Sequence, residues 1–219
     1  MKKLIFQYYF EVNETWEYYG GIWDEYGKAI LPYSIKSVKE YAKRIGADYK
    51  LCTDRKLPHL RVECEKLRAL SETEYDKVLV IDTDIIIPKE IEKDIFEEYK
   101  DSKIALRCSP KHLGYMTKLN GGVVLWDKEM IEFLQQDYYD LANNIVPPVN
   151  DGSAIPNNDE KFIQECFMTH GFEFTPIDWA WNCDGEEFHE HGNKAYFIHY
   201  GTSERVRLIF DETYWVDKV

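Results

Sequence analysis

One stretch limits the fold more than any other: Asp76-Lys77-Val78-Leu79-Val80-Ile81-Asp82-Thr83-Asp84-Ile85-Ile86-Ile87-Pro88. Four consecutive apolar residues, Val78 to Ile81, read as a strand buried on both faces, as in a sheet covered by helices on each side. The strand then presents Asp82 and Asp84. Side chains two apart on an extended chain point the same way, so two carboxylates share one side at the end of a buried strand. That is a poor core and a good seat for a hard divalent cation, whose preferred ligands are carboxylate oxygens. In open α/β sheets such strand ends face the ligand crevice.

The first half of the chain alternates strand and helix around this element, which predicts an α/β fold. Leu4–Phe10 reads as a strand. A polar, aromatic loop from Glu11 to Gly27 follows, either a ligand cover or a plain surface loop. Leu31, Ile35, Val38, Ala42 and Ile45 form an apolar helical stripe, with Pro32 expected in the first turn and Gly46 as the stop. Asp48–Thr53 reads as a strand, Leu60–Leu70 as a helix, Ile91–Tyr99 as a helix and Lys103–Arg107 as a strand.

In the second half, Leu119-Asn120-Gly121-Gly122-Val123 reads as a polar turn entering a buried strand, its paired glycines allowing a close approach of other groups. Ile131, Leu134, Tyr138 and Leu141 mark a helix. Ile145 to Pro156 reads as a loop. Asn158-Asp159-Glu160 opens a helix with inner residues Phe162, Ile163, Cys166 and Phe167; Asp159 there is either a cap or a functional carboxylate. Phe172–Thr175 and Ala195–His199 read as strands, and Trp179-Ala180-Trp181-Asn182 as a loop whose tryptophans either pack or stack on a sugar. With no repeat or linker, residues 1–219 are expected to form one domain, a nucleotide-binding half at 1–110 and a sugar and acceptor half at 111–219.

Composition excludes several classes. The net charge of −13 disfavours capture of nucleic acid or an anionic membrane. Five scattered cysteines without a Cys-x-x-Cys pair argue against a zinc ribbon or a disulfide framework. No apolar run approaches the roughly 20 residues of a membrane helix, and Met1–Tyr9 lacks the apolar core of a signal peptide. No Gly-x-Gly-x-x-Gly or Walker lysine follows the first strand.

Taken in order, these motifs resemble those of nucleotide-sugar glycosyltransferases of the GT-A fold, most like the glycogenin-like and bacterial galactosyltransferase group. The matching residues are Lys66 on the preceding helix, Val78–Asp84, Asn120-Gly121, the acidic start at Asn158-Asp159-Glu160, and His199-Tyr200-Gly201 with Arg205. The resemblance implies one α/β domain with a mixed, mostly parallel central sheet flanked by helices. It implies that Asp82, Asp84 and His199 hold Mn²⁺ or Mg²⁺, the mixed oxygen and imidazole set tilting toward manganese. It further implies a nucleotide-diphosphate sugar donor, a UDP-hexose by default, contacted by Tyr8, Tyr9, Lys66, Asp82, Thr83, Asn120, Gly121, Gly201 and Arg205. Asp159 would stand beside the anomeric carbon, and Trp179 and Trp181 would meet the glycan acceptor. Gly201 falls two residues after His199 rather than the family's three, and Arg205 replaces a lysine. The family's Asp-Gln pair is missing, so the stereochemical course is not inherited. Without a membrane anchor, a cytoplasmic bacterial or virus-encoded enzyme is expected.

Three rivals share parts of the pattern. A haloacid-dehalogenase-like phosphatase also opens with a strand and Asp-x-Asp, but near the N-terminus and with different residues following. A sugar nucleotidyltransferase needs a Gly-rich basic loop where this chain has Glu11-Val12-Asn13-Glu14-Thr15. A non-catalytic carbohydrate-binding protein has no use for Asp82, Asp84 and His199 together.

Overall fold

The computed structural model of the chain describes residues 1–10, 22–58, 60, 62–109, 118–143, 145, 159–183 and 194–200. Its strands are β1 (Lys3–Tyr8), β2 (Asp48–Cys52), β3 (Lys77–Ile81), β4 (Ile85–Ile86), β5 (Ile104–Ser109), β6 (Lys118–Asp127), β7 (Thr175–Pro176) and β8 (Ile198–His199). Its α-helices are α1 (Ile22–Arg44), α2 (Ile95–Glu98), α3 (Lys128–Ala142) and α4 (Asp159–His170), and Val62–Ser71 is a 3-10 helix.

Six strands form one sheet in the order β2-β1-β3-β6-β5-β7, and β4 and β8 form a separate pair. The β2–β1, β1–β3 and β5–β7 pairings are parallel, whereas β6 is antiparallel to both β3 and β5. Thus β6 alone runs against the other five. The mixed, mostly parallel sheet that the resemblance implies is present. The strand that opens with Asn120-Gly121 is the reversed one. Those residues lie inside β6 rather than in a turn before it, beside a register shift in β5 between Leu106 and Arg107.

The run Val78–Ile81 is buried at every position because both faces of the sheet are covered. Leu4, Phe6, Val78, Val80, Val124 and Trp126 pack on one face against the 3-10 helix, α3 and α4. Ile5, Leu79, Ile81, Val123 and Leu125 pack on the other against Val38 and Tyr41 of α1, with Phe96, Trp181 and Phe197. A smaller cluster of Ile30, Ile86, Cys183, Ile198 and Tyr200 seats the β4–β8 pair on α1.

Two helix boundaries differ from expectation. Helix α1 begins at Ile22, inside the expected loop, and carries Pro32 within it rather than in its first turn. An interior proline costs about 3 kcal/mol through a lost hydrogen bond and a clash; the buried contacts of Ile30, Val38, Tyr41 and Ala42 offset it. The stop is as expected: Gly46 adopts φ 68, and Ala47 N–H reaches back to Ala42 O at 2.9 Å, a Schellman closure. The apolar pattern near Ile91–Tyr99 yields only the short α2, capped by Asp94. Of the loops expected at Glu11–Gly27 and Ile145–Pro156, residues 11–21 and 146–156 lie outside the described residues.

Candidate metal and donor site

The site forms at the carboxyl ends of β1 and β3, where ligand crevices of α/β sheets lie. After Ile81 the ladder continues one step, Asp82 N–H donating to Gly122 O at 2.9 Å, and the chain then turns, Ile85 N–H returning to Asp82 O at 3.3 Å. Polar groups buried on the α1 side fix this turn. Gln7 Nε2 donates to Asp82 O and to Ser34 Oγ, both at 3.2 Å, and Ile87 N–H donates to Ser37 Oγ at 3.1 Å. Just beyond the turn, β4 pairs with β8 so that Ile85 stands opposite His199, and Tyr200 N–H donates to Asp84 O at 3.0 Å. This pairing brings His199 from late in the chain to the Asp-x-Asp turn.

One ligand atom from each of Asp82, Asp84 and His199 lies within 4.8 Å of the others, and His199 Nε2 is 3.3 Å from Asp84 Oδ1. The three side chains keep 20 % (Asp82), 19 % (Asp84) and 11 % (His199) of their surface exposed. Oδ1 of Asp82 and Oδ1 of Asp84 are both buried, the first beside the Lys66 ammonium at 2.8 Å and the second beside His199 Nε2 at 3.3 Å. Two carboxylates and an imidazole nitrogen gathered this closely fit a divalent cation of the manganese or magnesium kind.

Electrostatics tie the group together. Burial pushes the Asp82 carboxyl up to about 6 against the pull of Lys66. Burial also opposes ionisation of Asp84, but the facing His199 outweighs it and the carboxyl lies below its ordinary value. Burial favours a neutral His199, yet Asp84 and Asp82 carry its pKa above the usual imidazole value.

Lys66 is the hub of the adjoining pocket. Only 5 % exposed, its ammonium lies 2.8 Å from Asp82 Oδ1, 3.1 Å from Asp159 Oδ2 and 3.0 Å from Gly121 O. Burial works against its charge, but Asp159 and Asp82 more than compensate, and its pKa is raised well above the ordinary value. Asp159, at the start of α4 and 3 % exposed, turns its carboxylate to Lys66.

The glycines of β6 make these approaches possible. A Cβ on Gly121 would stand 2.1 Å from Asp159 Oδ2, and one on Gly122 2.4 Å from His199 Cε1. The close approach inferred from the sequence is thus to Asp159 and His199. Gly122→Ala should displace the His199 ring and weaken Mn²⁺ binding about tenfold or more, in line with the usual cost of misorienting a metal ligand. Titration calorimetry with Mn²⁺ alone checks this; wild-type affinity would show that the ring can give way without loss.

The other residues anticipated from sequence fall variously. The Tyr8 ring centroid is 6.0 Å from Lys66 Nζ. Burial, with smaller effects from Lys66, Asp82 and Asp159, holds its phenol well above the usual range, so Tyr8 lines the site. Tyr9 N–H extends the ladder to Cys52 O at 2.8 Å. Thr83 sits in the turn between the two carboxylates, half-buried. Lys66, expected to meet the diphosphate, is surrounded by protein oxygens instead. The Gly121 backbone, expected to face the donor sugar, gives its carbonyl to Lys66 and its N–H to Glu160 Oε1 at 3.0 Å. Asn120 Oδ1 accepts from Gly122 N–H at 2.9 Å. Trp179 is half-buried, whereas Trp181 is 0 % exposed, donates Nε1–H to Glu98 Oε1 at 3.0 Å and packs edge-on to Phe197. It has no free face for an acceptor sugar and is a core residue. Gly201 and Arg205 lie outside the described residues.

Sequence reasoning missed Gln7 and Asn182. Asn182 is wholly buried and its Oδ1 lies 2.8 Å from His199 Nδ1. A polar residue inside the apolar run of β1 was the one available signal for Gln7; the aromatics flanking Asn182 drew attention away from the amide.

The sequence matches no protein-family model, and no curated protein matches it. The fold, however, is shared with solved glycosyltransferases. A glycosyltransferase involved in the glycosylation of the major capsid of PBCV-1 aligns with 16 % identity over 95 % of this chain and 100 % of that one, TM-score 0.63. Mouse xyloside xylosyltransferase 1 aligns with 12 % identity over 92 % of this chain and 98 % of that one, TM-score 0.50. The glycosyltransferase GlyE of Streptococcus pneumoniae aligns with 14 % identity over 93 % of this chain, TM-score 0.53, the alignment spanning 55 % of the GlyE chain. The α/β architecture is therefore the GT-A fold.

Proposed function

We propose that this chain, acting as one domain, is a metal-dependent glycosyltransferase that moves a hexose from a nucleotide-diphosphate sugar, a UDP-hexose by default, to a saccharide or glycan acceptor. The observation that carries the reading is the convergence of Asp82, Asp84 and His199 within 4.8 Å at the strand end where this fold binds ligands.

Asp82, Asp84 and His199 would hold the cation. When bound, Mn²⁺ or Mg²⁺ supplies positive charge to the donor diphosphate and eases departure of the nucleotide. Tyr8, at the end of β1, would border the nucleotide. Lys66 would keep Asp82 and Asp159 in fixed positions rather than touch phosphate, and Arg205 and Gly201 would contribute to the diphosphate site. Asp159 would face the sugar's reacting carbon, and half-buried Trp179 the acceptor. Among the described residues no helix is long and apolar enough to cross a membrane.

Donor hydrolysis and transfer measured with a panel of nucleotide sugars, with Mn²⁺ and with excess chelator, test the proposal. Activity should fall about a hundredfold or more on chelation, equivalent to roughly 2.7 kcal/mol of barrier, and return with Mn²⁺. Asp84→Asn should remove the response to metal. Full activity in excess chelator would overturn the metal assignment. A thermal-shift screen identifies the donor, since a ligand at 100 times its Kd adds about 2.7 kcal/mol of stability.

A further inference from the structure

We propose that Asn182 is a positioning residue that holds the His199 imidazole in its Nδ1–H tautomer and so turns the Nε2 lone pair toward Asp82 and Asp84. The inference rests on reading the site as a divalent-metal centre, and it gives a role to a residue buried behind the ligands.

One group in this hydrogen-bond chain has a fixed polarity. Gly122 N–H donates to the Asn120 side chain at 2.9 Å; a backbone amide can only donate there, so the Asn120 atom facing it is the oxygen. Asn182 Nδ2 donates to that same oxygen at 2.9 Å. Turning the Asn182 amide over would set its own oxygen against Asn120 Oδ1, two acceptors with no hydrogen between them. Asn182 therefore presents Oδ1 to His199 Nδ1, at 2.8 Å, and an acceptor in that place needs the hydrogen on Nδ1. In the neutral ring Nε2 is then bare, and it is the nitrogen that faces Asp84, at 3.3 Å.

The relay is rigid because Asn182 is held at every backbone polar group. Its N–H donates to Trp179 O at 3.0 Å, its carbonyl accepts from Arg107 Nη1, and the residue is 0 % exposed. Ligating histidines commonly donate their second nitrogen to a fixed acceptor, which sets the tautomer and the ring orientation. A neutral amide does this here without adding another negative charge to a pocket that already holds Asp82, Asp84 and Asp159.

The tautomer can be read in the wild-type protein by ¹⁵N NMR of the histidine rings, metal-free and at a pH where the ring is neutral, with His199→Gln to assign the signals. His199 should show a pyrrole-type nitrogen at Nδ1. In Asn182→Leu, close in volume but unable to accept, the ring should lose that preference. Mn²⁺ affinity, read from the free-ion EPR signal, should fall about ten- to a hundredfold. A wild-type ring protonated at Nε2 overturns the proposal. So does an Asn182→Leu protein that keeps the Nδ1–H tautomer or binds Mn²⁺ within about twofold of wild type, below the usual cost of losing such a partner. If Asn182→Leu does not fold, the wild-type spectrum decides alone. A wild-type protein with the Nδ1–H tautomer and no Mn²⁺ binding would leave the positioning role standing and defeat the metal reading instead.

Discussion

Lys66→Met is expected to cost about 3–5 kcal/mol of stability, the usual penalty for removing one partner of a buried ion pair. Three oxygens surround the ammonium, from Asp82, Asp159 and Gly121. Methionine fills nearly the same length and volume, so little of the loss comes from a cavity. What is lost is the positive charge between two carboxylates, together with the partner of a buried carbonyl. For a chain of this size the deficit corresponds to a fall in Tm of roughly 6–20 °C. Thermal unfolding in chelator checks it, since a bound metal would supply replacement charge. Adding Asp159→Asn to Lys66→Met should restore part of the loss, because the two side chains are in contact and their effects should not add. A drop in stability below about 1 kcal/mol would place Lys66 among surface-like ion pairs and remove it as the organiser of the pocket.

That hub shows where sequence reasoning stops. Val78–Ile81 and the same-sided Asp82 and Asp84 are local patterns, and both are present as read, because a buried strand and its alternation depend on neighbours in the chain. The glycine pair also signalled close packing correctly. What the pattern could not say is which groups approach. Gly121 meets Asp159 and Gly122 meets His199 only because β6 runs antiparallel between β3 and β5, and apolar periodicity is the same for either strand direction. The same limit explains Lys66. Its basic character is visible in the sequence, but whether it faces phosphate or carboxylate depends on how α4 docks. It also explains Trp181. A large aromatic in a short loop reads alike whether it lies over a sugar or beneath a sheet, and here Tyr196 and Phe197 close over it. Gln7 and Asn182 were missed for a further reason. Their partners are Asp82 and His199, each distant in sequence, and no spacing rule connects them.

Asp159→Asn is expected to lower turnover by about 10²–10⁴-fold, the range for losing a positioned acid–base or charge-stabilising group, while leaving the fold intact. Glycosyl transfer passes through a positively charged, oxocarbenium-like sugar, as glycoside hydrolysis does, and a carboxylate near the anomeric carbon can stabilise that charge, attack it, or take the acceptor's proton. Two observations place Asp159 for such a role: it is the first residue of α4, and its buried Oδ2, 3.1 Å from the Lys66 ammonium, sits across that charge from Asp82. Asparagine keeps the shape, and Lys66 keeps Asp82 as its counter-charge, so the pocket moves from one excess negative charge toward neutrality. Stability should therefore hold or rise slightly, and Mn²⁺ affinity should stay near wild type, since Asp82, Asp84 and His199 are untouched. Turnover falling while Tm and metal binding persist would identify Asp159 as a catalytic residue. Turnover within about threefold of wild type, well short of the loss expected for such a group, would mean that Asp159 serves only to hold Lys66. Glu160, whose Oε1 accepts from Gly121 N–H at 3.0 Å, is then the next carboxylate to test, by Glu160→Gln.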